Sequence, residues 1–472
     1  MVFSSHIFLF GFLPIALLLY YITPQRGRSW TLTLLSYVFY GWWNPWFTLL
    51  MLGSTLVDYV CGQVIADDTS SPRRRKTALW TSILVNLAAL GFFKYAVFVS
   101  GNLEVVAGWL GLETGGAPAF LTGIVLPVGI SFYTFQSMSY TIDVYRGHAR
   151  PARSFIDFAC YVSMFPQLVA GPIVRYGSVA EQLRERTHSV NGFVAGFTRF
   201  NYGFAKKVLL ANPMGEIADW CFEAGPGSLS PTLAWVGVLA YALQIYFDFS
   251  GYSDMALGLG RMIGFRFPEN FNSPYQSASV TEFWRRWHIS LSSFLRDYLY
   301  IPLGGNRRGV ARTYANLLLV MLIGGLWHGA QWTFVIWGAI HGLWLAIERW
   351  AGANLSWQLP RPLARAIFIL LLLVTWVFFR AESLEVALTY LRTMIGLTET
   401  LPSADLLAAV VLRPAHLAQL LVAVVIAGFL PNTARWLREI TGLKLALGLL
   451  LLFVSVRVLS VQGFNPFLYF QF

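Results

Sequence analysis

The chain has 472 residues, 56% of them hydrophobic and only 12% charged, with a mean hydropathy of +0.57. A soluble domain carries about 25% charged residues, so this chain lacks the polar groups to cover a water-facing surface and reads as an integral membrane protein. Its 34 Lys+Arg outnumber 23 Asp+Glu for a net charge of +11. The basic residues sit between apolar runs, which orients membrane helices and argues against nucleic-acid binding.

The first apolar run, Ile7 to Ile22, has no basic leader and no small-residue cleavage site ahead of it. It reads as a retained span whose far end, marked by Arg26 and Arg28, is cytoplasmic. Runs at Leu32 to Leu52 and Leu56 to Ala66 follow, and then Arg73-Arg74-Arg75-Lys76, the strongest cytoplasmic marker in the chain. Leu79 to Val99 crosses outward. Ser100 to Ala119 has no Lys or Arg and reads as an outer loop, and Leu121 to Val144 returns. Phe155 to Val174 is interrupted by Pro166, Gly171 and Pro172 and reads as broken or re-entrant. Such backbone is tolerated at membrane depth only where protein or water surrounds it.

Phe193 to Leu210, an outer loop at Glu223 to Thr232, and the long run Leu233 to Ile263 come next. Glu269 to Arg312 is rich in Arg and aromatics and suits amphipathic helices at the cytoplasmic interface. Two spans or half-spans within Leu317 to Ile347, and runs at Ile367 to Phe379, Leu417 to Phe429 and Leu443 to Leu459, complete the series. With about 20 apolar residues per crossing, about ten to twelve membrane segments are expected, some short of a full crossing. There is no internal repeat and no linker, so residues 1–472 read as one all-α membrane domain. Cys61, Cys160 and Cys221 fit neither a disulfide framework nor a metal site.

An ionisable group placed in lipid costs at least about 2.5 kcal/mol, so it marks a cavity, a pathway or a site. Gly324-Gly325-Leu326-Trp327-His328-Gly329 sets one imidazole among glycines in an apolar run. Its chemistry suits proton removal from a hydroxyl, and a hydrogen-bonded structural histidine fits the spacing equally. Trp284-Arg285-Arg286-Trp287-His288 places Trp284 and His288 four apart, on one face if helical. It reads as a basic, aromatic donor-binding wall or as an interfacial belt. Asp248 and Asp254 suggest a polar network that supports a site, or pairing with arginines such as Arg199 or Arg380. His341 lies seven residues before Glu348 and could be tuned by it or merely paired with it. Zinc-protease, P-loop and nucleophile-elbow motifs are absent from the sequence, and no bound cofactor is called for.

At "YFDFSGYSDMALGLG", "TEFWRRWHISLSSFLRDYLYIPLGGNR", "GGLWHGAQWTFVIWGAIHGLW" and the closing "NPFLYFQF", the chain resembles the membrane-bound O-acyltransferase family over nearly its whole length. It is most similar to the bacterial branch that resembles alginate O-acetyltransferases. The resemblance implies a ring of tilted helices with re-entrant and amphipathic segments around a thin central layer. It also implies that His328 is the essential catalytic residue and that His288 is the second active-site position. It settles no chemical role for Asp248 and Asp254; the residue pattern itself makes Trp284, Arg285, Arg286 and Trp327 candidate substrate-binding residues and Asp248, Asp254 and His341 candidate supports of the site.

The implied reaction carries acetyl from a cytoplasmic thioester such as acetyl-coenzyme A to an extracytoplasmic acceptor, in the inner membrane. A periplasmic acetyltransferase-like partner would finish modification of an exopolysaccharide. Whether His328 is a general base or forms an acyl-histidine stays open. A transporter of acyl carrier or polysaccharide also suits broken helices and intramembrane polar groups, although no two related halves are apparent. A structural scaffold would leave the buried histidines unexplained.

Overall fold

The computed structural model describes residues 1–112, 116, 118–225, 227–354, 359–466 and 468. Parts of the expected loops at Ser100 to Ala119 and Glu223 to Thr232, and residues 467 and 469–472 of the closing motif, lie outside the described residues. Among the described residues there is no β-strand. Six helices are long and apolar enough to cross a membrane, and a seventh is reached if Ser403–Val411 and Pro414–Phe429, bent by 60°, form one broken span.

The helices used below are α1 (Ile7–Ile22), α2 (Arg28–Gly41), α3 (Pro45–Ala66), α4 (Pro72–Trp109), α5 (Ile130–Tyr145), α6 (Phe155–Ser163), α7 (Val190–Ala205), α8 (Asn212–Phe222) and α9 (Pro231–Met262). After them come α10 (Val280–Trp284), α11 (Ile289–Leu295), α12 (Val310–His328), α13 (Trp332–Asn354), α14 (Arg361–Arg380) and α15 (Gly442–Val461). The apolar window of α9 is 78% buried, against 17 to 39% for the other five candidate spans, so α9 is an interior helix and the others offer lipid-facing sides.

The chain divides into two compact units, Met1–Phe197 with Ala256–Pro268, and Thr198–Met255 with Glu269–Phe472. In the first unit, α5 is buried on nearly every side although it carries Ser131, Thr134, Gln136, Ser137, Ser139 and Thr141. Polar residues inside an apolar bundle are tolerable only when bonded. The Asp58 carboxylate of α3 accordingly accepts from Ser82 Oγ at 2.6 Å and Asn86 Nδ2 at 2.9 Å, both on α4, and Ser82 pairs with Thr141 of α5 at 2.9 Å.

Several expected boundaries move, each for a local reason. The run Leu32 to Leu52 is not one span. Asn44 caps α3 by accepting from the Trp46 N–H at 3.0 Å, and Pro45 takes the first helical position, where its missing N–H costs nothing. α4 continues to Trp109, so Ser100 lies in a helix and not in a loop. Phe155 to Val174 does break, after Ser163. Between Glu269 and Gly309 the chain forms only short helices, and Phe271, Tyr275, Phe283 and Trp287 from this stretch are buried in the core of the second unit.

Within the second unit, α12 and α13 form a tight antiparallel hairpin joined by Gly329-Ala330-Gln331. Side chains at Gly325 and Gly338 would hold the helices apart. A Cβ on Gly325 would stand 2.2 Å from the Phe334 carbonyl oxygen, and one on Gly338 would stand 2.3 Å from that of Met321. The backbones therefore touch, and His328 is fixed as the last residue of α12. Gly338→Ala should destabilise the purified protein by about 1–3 kcal/mol through overpacking. Thermal unfolding in detergent reads this, and an unchanged midpoint would contradict the close-contact account.

Candidate active site

His328 closes α12 and is nearly buried, with 6% of its surface exposed. Aromatic rings enclose it. Trp327 lies at 5.0 Å between centroids, Phe379 of α14 at 5.0 Å and Trp337 of α13 at 5.4 Å, all close to edge-on. The imidazole lines a cavity with Ile245 and Phe249 of α9, Trp287, Trp337, Trp376 and Phe379. The volume open to a water's centre is about 10 Å³, room for roughly one water molecule.

His288 stands behind that wall. Its ring is 4.7 Å from Phe249, which lines the cavity, and 5.9 Å from Trp327, which also packs on His328. His288 is fully buried and has φ +44°, a left-handed conformation that an L-residue adopts at a cost of about 1–2 kcal/mol. The turn is held by the Ile289 N–H donating to the Asn270 carbonyl at 3.0 Å and the Ser292 N–H donating to the His288 carbonyl at 3.0 Å. α10 ends at Trp284, so Trp284 and His288 do not share a helix face as their spacing suggested.

Asn270 sets the protonation of this ring. Its Oδ1 accepts from the Ser290 backbone N–H at 3.2 Å and from Ser290 Oγ at 2.9 Å, which fixes the amide's orientation. The same oxygen faces His288 Nδ1 at 3.2 Å. An amide oxygen only accepts, so Nδ1 carries the hydrogen and Nε2 the lone pair. Burial pushes the His288 imidazole down to about 3, which keeps it neutral at pH 7. Asn270 was missed in the sequence because a single amide in the Arg- and aromatic-rich stretch Glu269 to Arg312 carries no spacing that ties it to His288, eighteen residues on.

The other candidates divide. His341 Nδ1 accepts from Trp284 Nε1 at 3.3 Å, so its Nε2–H faces Thr375 Oγ1 at 3.3 Å. Glu348 takes no part, because it accepts from the Thr281 N–H and Oγ at 2.9 and 2.8 Å. His341 thus positions Trp284 and packs on Trp337 at 4.6 Å. Arg286 pairs with Glu282 at 2.8 Å, whereas Arg285 is exposed. Asp254 pairs with Arg199 at 2.8 Å and Lys206 at 2.7 Å, as the structural reading had it. Arg380 instead pairs with Asp219. Asp248 is bound to buried Lys207 at 2.7 Å and accepts the Leu468 N–H at 3.1 Å, while Lys207 also donates to the Pro466 carbonyl. This pair holds the backbone of Pro466 and of Leu468 inside the second unit.

Residues 146–386, which carry all these side chains from Asp248 to His341, match the model of the membrane-bound O-acyltransferase family. The chain belongs to the membrane-bound O-acyltransferase family. It is 47% identical to the probable alginate O-acetylase AlgI of Pseudomonas putida over the whole of both chains. It is also 38% identical to a peptidoglycan O-acetyltransferase of Helicobacter pylori over 84% of this chain and 80% of that one. A teichoic acid D-alanyltransferase of Streptococcus thermophilus is 30% identical over 47% of this chain and 56% of its own. The chain is therefore a multi-pass membrane O-acyltransferase.

Replacing Asn270 with Asp should raise the His288 pKa, because a carboxylate beside Nδ1 favours the imidazolium. The acid limb of the pH–rate profile then moves to higher pH, while Asn270→Ala lowers the rate without such a shift. Coincident normalised profiles for Asn270→Asp and the wild type would refute the tautomer assignment.

Proposed function

We propose that this enzyme moves acetyl from cytoplasmic acetyl-coenzyme A to an extracytoplasmic acceptor in the bacterial inner membrane, for O-acetylation of an alginate-like exopolysaccharide. The observation that carries the reading is the His328 imidazole lining an aromatic-walled cavity, with the His288 ring packed against Phe249 of that wall and against Trp327. The full-length likeness to a probable alginate O-acetylase supports the choice of acyl group and polymer. The peptidoglycan and teichoic acid relatives indicate that acceptors vary within the family.

In this reading His328 takes the proton from the acceptor hydroxyl as its oxygen attacks the thioester carbonyl. The imidazolium then returns that proton to the departing thiolate. His288 has its Nδ1–H engaged with Asn270, so at Nε2 it can accept a hydrogen bond and orient a hydroxyl, but it cannot donate to an oxyanion while neutral. A donor exists elsewhere. Trp337 lines the cavity, and its indole N–H is buried with no acceptor among the described residues. A buried donor left unmade costs about 1–3 kcal/mol, and a carbonyl oxygen gaining negative charge would satisfy it. Arg285 is exposed and suits a donor phosphate, and Trp284 and Trp327 suit its adenine or acyl part. The immediate acceptor is a hydroxyl of a periplasmic acetyltransferase-like partner, which passes the group to the polysaccharide.

Purified enzyme given labelled acetyl-coenzyme A and acceptor provides the test, because bond formation separates an acyltransferase from a transporter. His328→Ala should abolish labelling while leaving the protein folded in the membrane. Trp337→Phe, which keeps the ring but removes the N–H, should lower kcat by about 10²-fold or more, the usual cost of losing one oxyanion donor. Arg285→Ala should raise the KM for the donor with little change in melting temperature. Wild-type labelling by His328→Ala would end this reading.

A further inference from the structure

The first unit contains a second polar cluster, which the acyl-transfer reading does not use. Arg28 at the start of α2 and Arg186 and His188 on the segment before α7 converge on Tyr20 near the end of α1. The Tyr20 hydroxyl is 2.8 Å from His188 Nε2 and donates to the Ile263 carbonyl at 2.7 Å. Arg28 Nη1 is 3.2 Å from His188 Nδ1, and its guanidinium sits 5.1 Å from the Tyr20 ring centre. Arg186 is 9% exposed and lies 4.7 Å from the Phe265 ring. Its donors reach only neutral acceptors: the Gln182 and Leu183 carbonyls, Ser29 Oγ and Tyr20 Oη.

Neither guanidinium has a carboxylate within ion-pair distance among the described residues, although exposed Glu181 and Glu185 lie on the same short segment. Arg28 spends Nε on the Thr23 carbonyl and Nη1 on the imidazole, and Nη2 has no acceptor among the described residues. Buried cations are ordinarily paired. Here two arginines, one nearly buried and one half-buried, face an imidazole with no anion to neutralise them. The His188 pKa is lowered by burial and then by Arg28 and Arg186, as expected where the neighbouring charges are cations.

The surroundings indicate where an anion would come from. The last turns of α1 present Leu18, Leu19, Tyr21 and Ile22 to the outside, 38 to 66% exposed, as a lipid-facing helix does. The arginine cluster begins where that apolar surface ends, which is the depth of a phospholipid headgroup. A guanidinium fork binds phosphate oxygens with charge-assisted hydrogen bonds, while His188 and Tyr20, bonded to each other, hold the two guanidiniums in place.

We propose that Arg28, Arg186, His188 and Tyr20 form a phosphate-binding site that holds the headgroup of an anionic phospholipid. The site is separate from the aromatic cavity and does not depend on the acyl-transfer reading.

The test uses full-length purified protein stripped of lipid. Thermal unfolding and native mass spectrometry are read after adding phosphatidylglycerol, phosphatidylcholine or inorganic phosphate. Retention and stabilisation by phosphatidylglycerol well above phosphatidylcholine are expected. Arg28→Gln should bind phosphatidylglycerol about fivefold more weakly, the effect of one arginine near an anionic surface, with its lipid-free unfolding unchanged. Arg28→Lys should recover part of the loss. Stabilisation by millimolar inorganic phosphate but not by phosphatidylglycerol, lost in Arg28→Gln, would keep the phosphate site and overturn the lipid as its source. Equal response to both lipids with none to phosphate, or an Arg28→Gln response like the wild type's, would overturn the proposal.

Discussion

The backbone contact between α12 and α13 is the constraint on which the site rests. A helix that ends inside an apolar interior leaves carbonyls without partners, so an ending there must be held by close packing. Gly325 and Gly338 let each helix press against the other's carbonyl oxygens. With that contact fixed, His328 cannot slide along α12, and Trp337 and Phe379 close on it from two directions. The same hairpin sets His341, which takes the Trp284 indole N–H and braces Trp337 from behind.

The two histidines are held by different means. His328 is enclosed by rings whose identity is mostly apolar, so it is placed by shape. His288 is placed by hydrogen bonds, with a strained backbone, an amide oxygen on one ring nitrogen, and Phe249 and Trp327 against its faces or edges. Each device suits its surroundings. A ring at the end of a rigid helix needs walls, and a ring in a turn between short helices needs tethers.

How much of this could be read from sequence follows from what each residue announces locally. His328 was legible because glycines and an apolar run surround a single imidazole. Asp254 and Arg199 were legible as opposite charges with nowhere else to go. The cavity walls were not, because Ile245, Phe249, Trp376 and Phe379 lie on helices far apart in the chain and look like any residue facing lipid. Asn270 was hidden in a stretch read for its arginines and aromatics, and the pairing of His341 with Glu348 failed because seven-residue spacing ignores what lies on neighbouring helices. The start of α3 was written in Asn44-Pro45, a cap and a first-turn proline inside what hydropathy alone treats as one run.

The dimensions of the aromatic cavity carry a kinetic consequence. A space with room for roughly one water holds no larger group until its walls part, and those walls are mostly broad, flat rings. Substrate entry is then a rehearsed movement of indole and phenyl groups. While that movement is incomplete the His328 imidazole meets about one water at most, and bulk solvent has little access to an activated acyl group there.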